Sequence, residues 1–173
     1  KLLVFQERYM QRLSPAAKVT SALPFLQRSG VISKTPSASE RNLVTGVVIA
    51  AGDRLKVAGD IVNYLEFFYP DDVFTYDEKA FNKRIRADGA VDRLERFKLR
   101  LKTADPFDAA TLDSTMHQFV EDEKIPIGQI IHAVRVAVTG KTVGFGLFES
   151  LAILGRDACL ARIDRALMRL TVK

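Results

Sequence analysis

Thr35-Pro36-Ser37-Ala38-Ser39-Glu40, followed by Arg41-Asn42-Leu43-Val44-Thr45-Gly46-Val47-Val48-Ile49-Ala50-Ala51, holds the clearest helix start in the chain. Ser37 and Glu40 stand three residues apart, the spacing at which each side chain satisfies the other's backbone amide, and Leu43, Val44, Val47, Val48 and Ala51 then recur at helical intervals. The same period dominates on both sides, and strand-like alternation is scarce. Upstream, Leu2, Phe5, Tyr9 and Leu13 put one apolar face on a helix over 1–13. Ser14-Pro15 opens a second helix, because Ser caps orphan amides and Pro suits the first helical position; it runs to about Arg28 and stops at Gly30. Downstream, Gly52-Asp53 bends the pattern, which resumes with Leu55, Ala58, Ile61, Val62 and Leu65 and ends in Phe67-Phe68-Tyr69. Pro70-Asp71-Asp72 marks a boundary between subdomains 1–69 and 70–173.

Beyond it, 77–87 and 91–102 read as short helices parted by Gly89, the second with Val91, Leu94, Phe97 or Lys98, and Leu101 inward. Asp105-Pro106 is expected to cap a further helix with Phe107, Leu112, Met116, Phe119 and Val120 apolar, and Pro126 closes it. The stretch 128–138, rich in small and β-branched residues, predicts a buried helix, and 139–145 a turn holding Gly140 and Gly144. Helices over 147–154, ending at Gly155, and 157–170 complete the chain, the last with Leu160, Ile163, Leu167 and Leu170 on one side. No repeat or low-complexity tract interrupts this order. The expected fold is all-α, a helical bundle of two stacked subdomains joined by short loops.

At 173 residues and 47% hydrophobic content the chain can bury a real core. Its longest apolar stretches, 43–51 and 144–154, are broken by Gly, Glu or Ser and fall short of the roughly 20 residues that span a bilayer, so no membrane partner is expected. Lys1-Leu2-Leu3-Val4-Phe5-Gln6-Glu7-Arg8 lacks both a starting Met and a cleavage site, and reads as the cut edge of a longer chain. The single cysteine, Cys159, cannot form an internal disulfide, and with only His117 and His132 to help it cannot build a thiolate metal site. A cytoplasmic location without a structural metal follows as the expectation.

The residues argue against catalysis within the chain. His132 lies on the apolar 127–138 segment, where a core or interface role is expected, and His117 reads as a surface residue; neither sits in a nucleophile context. Glu121-Asp122-Glu123 is a solvated helix end. Gly144-Phe145-Gly146 has no preceding strand and no following Lys-Ser or Lys-Thr, which rejects a phosphate-cradling loop and leaves a tight turn with backbone close to a partner. The basic residues point elsewhere. Net charge is +5, a balance suited to polyanions, and 83–102 alone holds eight Lys or Arg against three acids. Arg162, Arg165 and Arg169 share one side of the last helix; a solubilising face is the plain reading.

Ile127-Gly128-Gln129-Ile130-Ile131-His132-Ala133-Val134-Arg135-Val136-Ala137-Val138-Thr139-Gly140, then Gly146-Leu147-Phe148-Glu149-Ser150-Leu151-Ala152-Ile153-Leu154-Gly155 and Leu160-Ala161-Arg162-Ile163, resemble the C-terminal end of bacterial glutamyl-tRNA synthetases. There an Arg-x-Ala-x-Thr-Gly helix end, a Gly-Leu-Phe-Glu turn and a Leu-Gly helix junction follow in this order. Lys1 to Met10 is similar to the segment that opens the family's helical half, and Arg54-Leu55-Lys56 through Tyr69 to its Arg-bearing helix. The likeness is weakest over 75–120.

The resemblance implies the anticodon-binding α-helix cage of a glutamate–tRNA ligase, with tRNA(Glu) as partner, no DNA, and a monomer. It implies ATP and Mg2+ only in the parent's catalytic domain, since neither the His-x-Gly-His nor the Lys-x-Ser-Lys type of signature occurs here; Ser33-Lys34-Thr35 is a loop. It further implies that Arg54 reads the last anticodon base and helps exclude glutamine tRNAs, that Arg135 contacts the loop, and that Leu147 and Phe148 pack against unstacked bases. Gly144-Phe145 departs from a common Thr-Pro pair, and Phe145 would add a stacking surface; Arg162 completes the tRNA-contacting set. Two other readings stay open: a helical protein-interaction domain with an apolar groove around Phe145, Leu147 and Phe148, and an RNA-binding paralogue that has lost catalysis. Plain competitors remain for single residues too, core packing for Leu147 and Phe148, and a salt bridge to Asp53 or Asp60 for Arg54.

Overall fold

A computed structural model describes residues 2–171 along the backbone and 4–171 in their side chains; among them there are helices and no strand. The all-α expectation holds. The chain divides into two compact units, Lys1–Tyr69 and Pro70–Lys173.

In the first unit α1 (Leu2–Arg12), α2 (Pro15–Arg28) and α3 (Ala38–Ala51) are followed by 3-10 turns at Gly52–Arg54 and Ala58–Phe67. The caps are the ones the sequence announces. Ser14 Oγ accepts from Ala17 N at 3.2 Å, Ser37 Oγ accepts from Glu40 N at 3.2 Å, and Glu40 Oε2 accepts from Ser37 N at 2.7 Å. Glu40 also takes the Ser33 amide and hydroxyl, both at 3.0 Å, so one carboxylate ties the 31–36 loop to the start of α3. Those amides and hydroxyls hold its carboxyl down at about 2. The core joins Leu26 of α2 with Val44, Val47, Val48 and Ala51 of α3 and Leu55, Ile61 and Phe67 of the following turns. Gly59 lets the Phe25 ring approach, since a Cβ there would lie 3.1 Å from it.

Two expectations change in this unit. The 58–67 segment is 3-10 rather than α, with a non-helical Tyr64 inside it. On α1, Phe5 and Tyr9 are 68% and 65% exposed and Met10 is buried instead, so the inward side is not the one the periodicity suggests. Lys1 and the Leu2 side chain lie outside the described residues.

The second unit comprises α4 (Glu78–Arg84), α5 (Ala90–Thr103), α6 (Ala109–Glu123), a 3-10 turn at Ile127–Gln129, α7 (Ile131–Thr139), α8 (Leu147–Leu154) and α9 (Arg156–Thr171). Its core gathers Phe74, Phe81, Leu94, Phe97, Leu101, Leu112, Met116 and Phe119 around the almost wholly buried 133–138 stretch of α7. Phe97, not Lys98, points inward on α5. Asp105-Pro106 does not cap α6. Asp108 does, its Oδ1 accepting from Thr111 N at 2.8 Å, because a side-chain cap must stand three residues before the amide it serves.

The inward face of α9 is likewise rotated. Cys159, Arg162, Ile163 and Ala166 are buried, while Leu160, Leu167 and Leu170 only border the core. Arg162 causes the difference. It is the largest fully buried side chain in the chain's described part, stacked 4.3 Å from the centre of the Phe74 ring, with Nε donating to Asp71 at 2.6 Å and Nη1 to the Val138 carbonyl at 2.9 Å. Arg165 lies over Phe74 and Tyr76, and Arg169 over Tyr76 and Phe81 while pairing with Glu78. The three guanidinium groups are therefore not a solubilising face. They zip α9 onto an aromatic strip through cation–π contacts. Cys159 is free and buried, and burial pushes its thiol up to about 12.

Candidate nucleic-acid interface

The turn between α7 and α8 is built from the end of α7 outward. Gly140 ends the helix at φ +75°, where a Cβ would lie 2.2 Å from the Thr75 carbonyl oxygen, so only glycine lets the 71–77 segment run this close. Asp77 N donates to the Gly140 carbonyl at 2.9 Å and locks that crossing. Thr139 Oγ1 donates to the Arg135 carbonyl at 2.8 Å. Arg135, half-buried, reaches along the turn and donates from Nη1 to the Phe145 carbonyl at 2.8 Å; a Cβ on Gly144 would sit 3.6 Å from that nitrogen.

The turn thus brings Arg135, Gly144 and Phe145 together and presents Thr142, Val143, Gly144 and Gly146 to solvent, Val143 being 73% exposed. Phe145 and Leu147 are 1% and 3% exposed. Both side chains are buried, Leu147 within the core of the unit, so neither offers a face to a base or a groove to a partner helix in this conformation. Phe148 is half-buried at the edge of the core and keeps a partly accessible ring. Arg162 sits inside the unit with its fork spent on Asp71 and Val138, which removes it from the surface the sequence assigned it to.

His132, expected in a core or interface role, is exposed on α7 and so is not a core residue. Its imidazole is held below the ordinary histidine value, by partial burial first and then by the charges of Arg84, Arg135 and Lys83. Periodicity does not signal this, since on a 100° wheel His132 lies about 40° from the buried Val136 and about 60° from Arg135.

Arg54 belongs to the first unit. It is exposed, and among the described residues no ion pair engages it. Asp60, offered as its competitor partner, accepts instead from the Lys56 and Val57 amides at 2.8 and 3.0 Å. The guanidinium stands close enough to the buried Tyr64 hydroxyl to oppose the rise that burial gives it.

Among its described residues the chain is all-helical, and a glycine-built exposed turn and a solvent-facing arginine give it the makings of a binding module. Comparison with known proteins agrees on the class. The model of the anticodon binding domain family matches residues 10–167, and the chain belongs to that family.

The chain is 36% identical over 145 residues to a glutamate–tRNA ligase of Moorella thermoacetica, covering 84% of this chain and 29% of that protein. It is 32% identical over 169 residues to one of Desulforudis audaxviator, covering 96% and 34%. It spans about a third of the length of these relatives. A crystal structure of a glutamate tRNA ligase from Elizabethkingia meningosepticum in complex with its amino acid superposes with a TM-score of 0.82 at 18% identity, over 96% of this chain and 31% of that one, which shows the shared fold.

Proposed function

We propose that this chain holds the anticodon loop of tRNA(Glu) as part of a cytoplasmic, monomeric glutamate–tRNA ligase. Catalysis, with ATP and Mg2+, belongs in this reading to a domain outside residues 1–173. The observation that carries it is the anticodon-binding family match over 10–167. Single-stranded bases are read on their exposed edges, and an arginine fork is well shaped for that. Arg54, exposed and without an ion-pair partner among the described residues, supports base reading from the first unit. In the second unit Arg135 holds the turn rather than reading a base, while exposed backbone at Gly144 and Gly146 and the edge of Phe148 are the surfaces a splayed nucleotide can meet.

The test is binding of glutamate and glutamine tRNA transcripts by the whole chain. Arg54→Gln is expected to cut the preference for the glutamate anticodon by roughly tenfold, within the 1–3 kcal/mol of one bidentate base contact, and to weaken overall affinity less. Unchanged preference would remove Arg54 from base reading.

A further inference from the structure

Most cations of the Pro70–Lys173 unit are spent inside it. Arg96 pairs with Glu123 and Arg100 with Asp122, both at 2.8 Å, Lys98 with Asp164, and Arg93 donates to the Asp88 carbonyl at 2.6 Å. Lys79, Lys83 and Arg84 differ. All three stand on α4, and among the described residues no ion pair or hydrogen bond occupies their charged ends. Arg84 Nε is buried without an acceptor. Arg93 and Arg156 also leave Nε bare, but each donates from Nη to a carbonyl, of Asp88 and Ala104 respectively. Arg84 alone of the three has an unanswered guanidinium, and a buried donor with no acceptor calls for a ligand or water.

These residues are not scattered. Lys79, Lys83 and Arg84 line one open cleft with Asp77, Ala80 and Thr142, so the basic edge of α4 meets the exposed turn. A second cleft, lined by Thr75, Tyr76, Asp77, Gly140, Lys141, Thr142 and Val143, continues along that turn. The acid in the lining, Asp77, caps α4, its Oδ1 accepting from Ala80 N at 2.7 Å, so its charge is turned to the helix amides. The result is a basic trough running into the surface where bases are to be met.

We infer that the cleft between α4 and the 140–146 turn carries the phosphodiester backbone of single-stranded RNA, held by Lys79, Lys83 and Arg84. This rests on the anticodon-reading function proposed above and adds its sequence-independent half. Lysines on flexible stems follow a backbone of irregular path as point charges, and Arg84 supplies a fork for one phosphate. Such contacts position the strand and carry no base preference.

The experiment is a salt titration of tRNA(Glu) transcript binding by the 173-residue chain and by the double variant Lys79→Gln/Lys83→Gln, with Lys102→Gln, an exposed lysine on α5, as control. Each lost contact to a single strand flattens the slope of log affinity against log salt by about 0.7, so the double variant should be shallower by about 1.4. Its glutamate-over-glutamine anticodon preference should match the parent's. If the parent binds but the double variant keeps the parent slope, or changes no more than Lys102→Gln, the backbone does not cross this cleft and the anticodon reading stands without it. If the parent shows no saturable tRNA binding, the anticodon reading itself falls, and this inference with it.

Discussion

Arg162 is where a side chain's chemistry overrides its reputation. A guanidinium is normally a surface group, and the helical period put Arg162 opposite the leucines of its helix, facing out. Yet it is 1% exposed, because Phe74 gives its flat face a partner while Asp71 and the Val138 carbonyl take its donors. A buried charge survives only when it is matched in this way, and removing one partner costs more than the pair is worth. Arg162→Ala is therefore expected to destabilise the Pro70–Lys173 unit by about 2–4 kcal/mol, leaving a cavity and an unanswered Val138 carbonyl; Asp71, which is partly exposed, can hydrate and keeps the figure below that of a fully buried pair. Urea unfolding followed by helicity measures it. A variant as stable as its parent would mean the arginine is a passenger. The aromatic partners Phe74, Tyr76 and Phe81 stand in the sequence far from α9, and a period-based reading ranks aromatic residues as core and arginines as surface, and so never pairs them.

At the scale of elements, the crossing of the 71–77 segment against the end of α7 depends on one glycine. Alanine at position 140 would have to adopt φ +75° and put its Cβ 2.2 Å from the Thr75 carbonyl oxygen, which is backbone and cannot rotate away. Gly140→Ala should cost about 2–4 kcal/mol, from left-handed strain and displaced backbone together, and should loosen the turn that presents Gly144. Thermal melting and the exchange rate of the Asp77 amide, which donates to Gly140, report the two effects; an amide as protected as in the parent would refute the clash. Elements of this kind were largely legible beforehand. Ser14, Ser37 and the Gly155 stop were found where caps and stops are found, because a cap is a local contract between neighbours in sequence. What escaped were the features settled by distant partners: the 3-10 winding of 58–67, the true cap at Asp108, and the side of α1 that turns inward. The candidate site divides the same way. The turn and its glycines were visible in the sequence, whereas the burial of Leu147 depends on how α8 packs into the core.

For the molecule as a whole, the net charge of +5 is a poor guide until internal pairing is subtracted. The dense basic run of 83–102 looked like a polyanion-binding strip, but much of it is engaged across to α6 and α9, and the unpaired cations that line a cleft lie at its α4 end. Whether RNA engages the second unit at all can be read from a group that never touches it. Cys159 is the chain's single cysteine, buried in α9 with its Sγ against the Leu151 carbonyl, and its thiol is pushed up to about 12. At pH 8 a thiol so placed has almost no thiolate and no access, so a thiol reagent reacts only when the unit opens. A ligand that binds the folded unit suppresses that opening by mass action. At a hundredfold excess over its Kd, tRNA bound to the Pro70–Lys173 unit should slow Cys159 labelling about 100-fold, and Lys79→Gln/Lys83→Gln should need proportionally more tRNA for the same protection. Labelling that proceeds at the free rate in saturating tRNA would place the whole of RNA binding in the first unit, and the role proposed for the 140–146 turn would be lost.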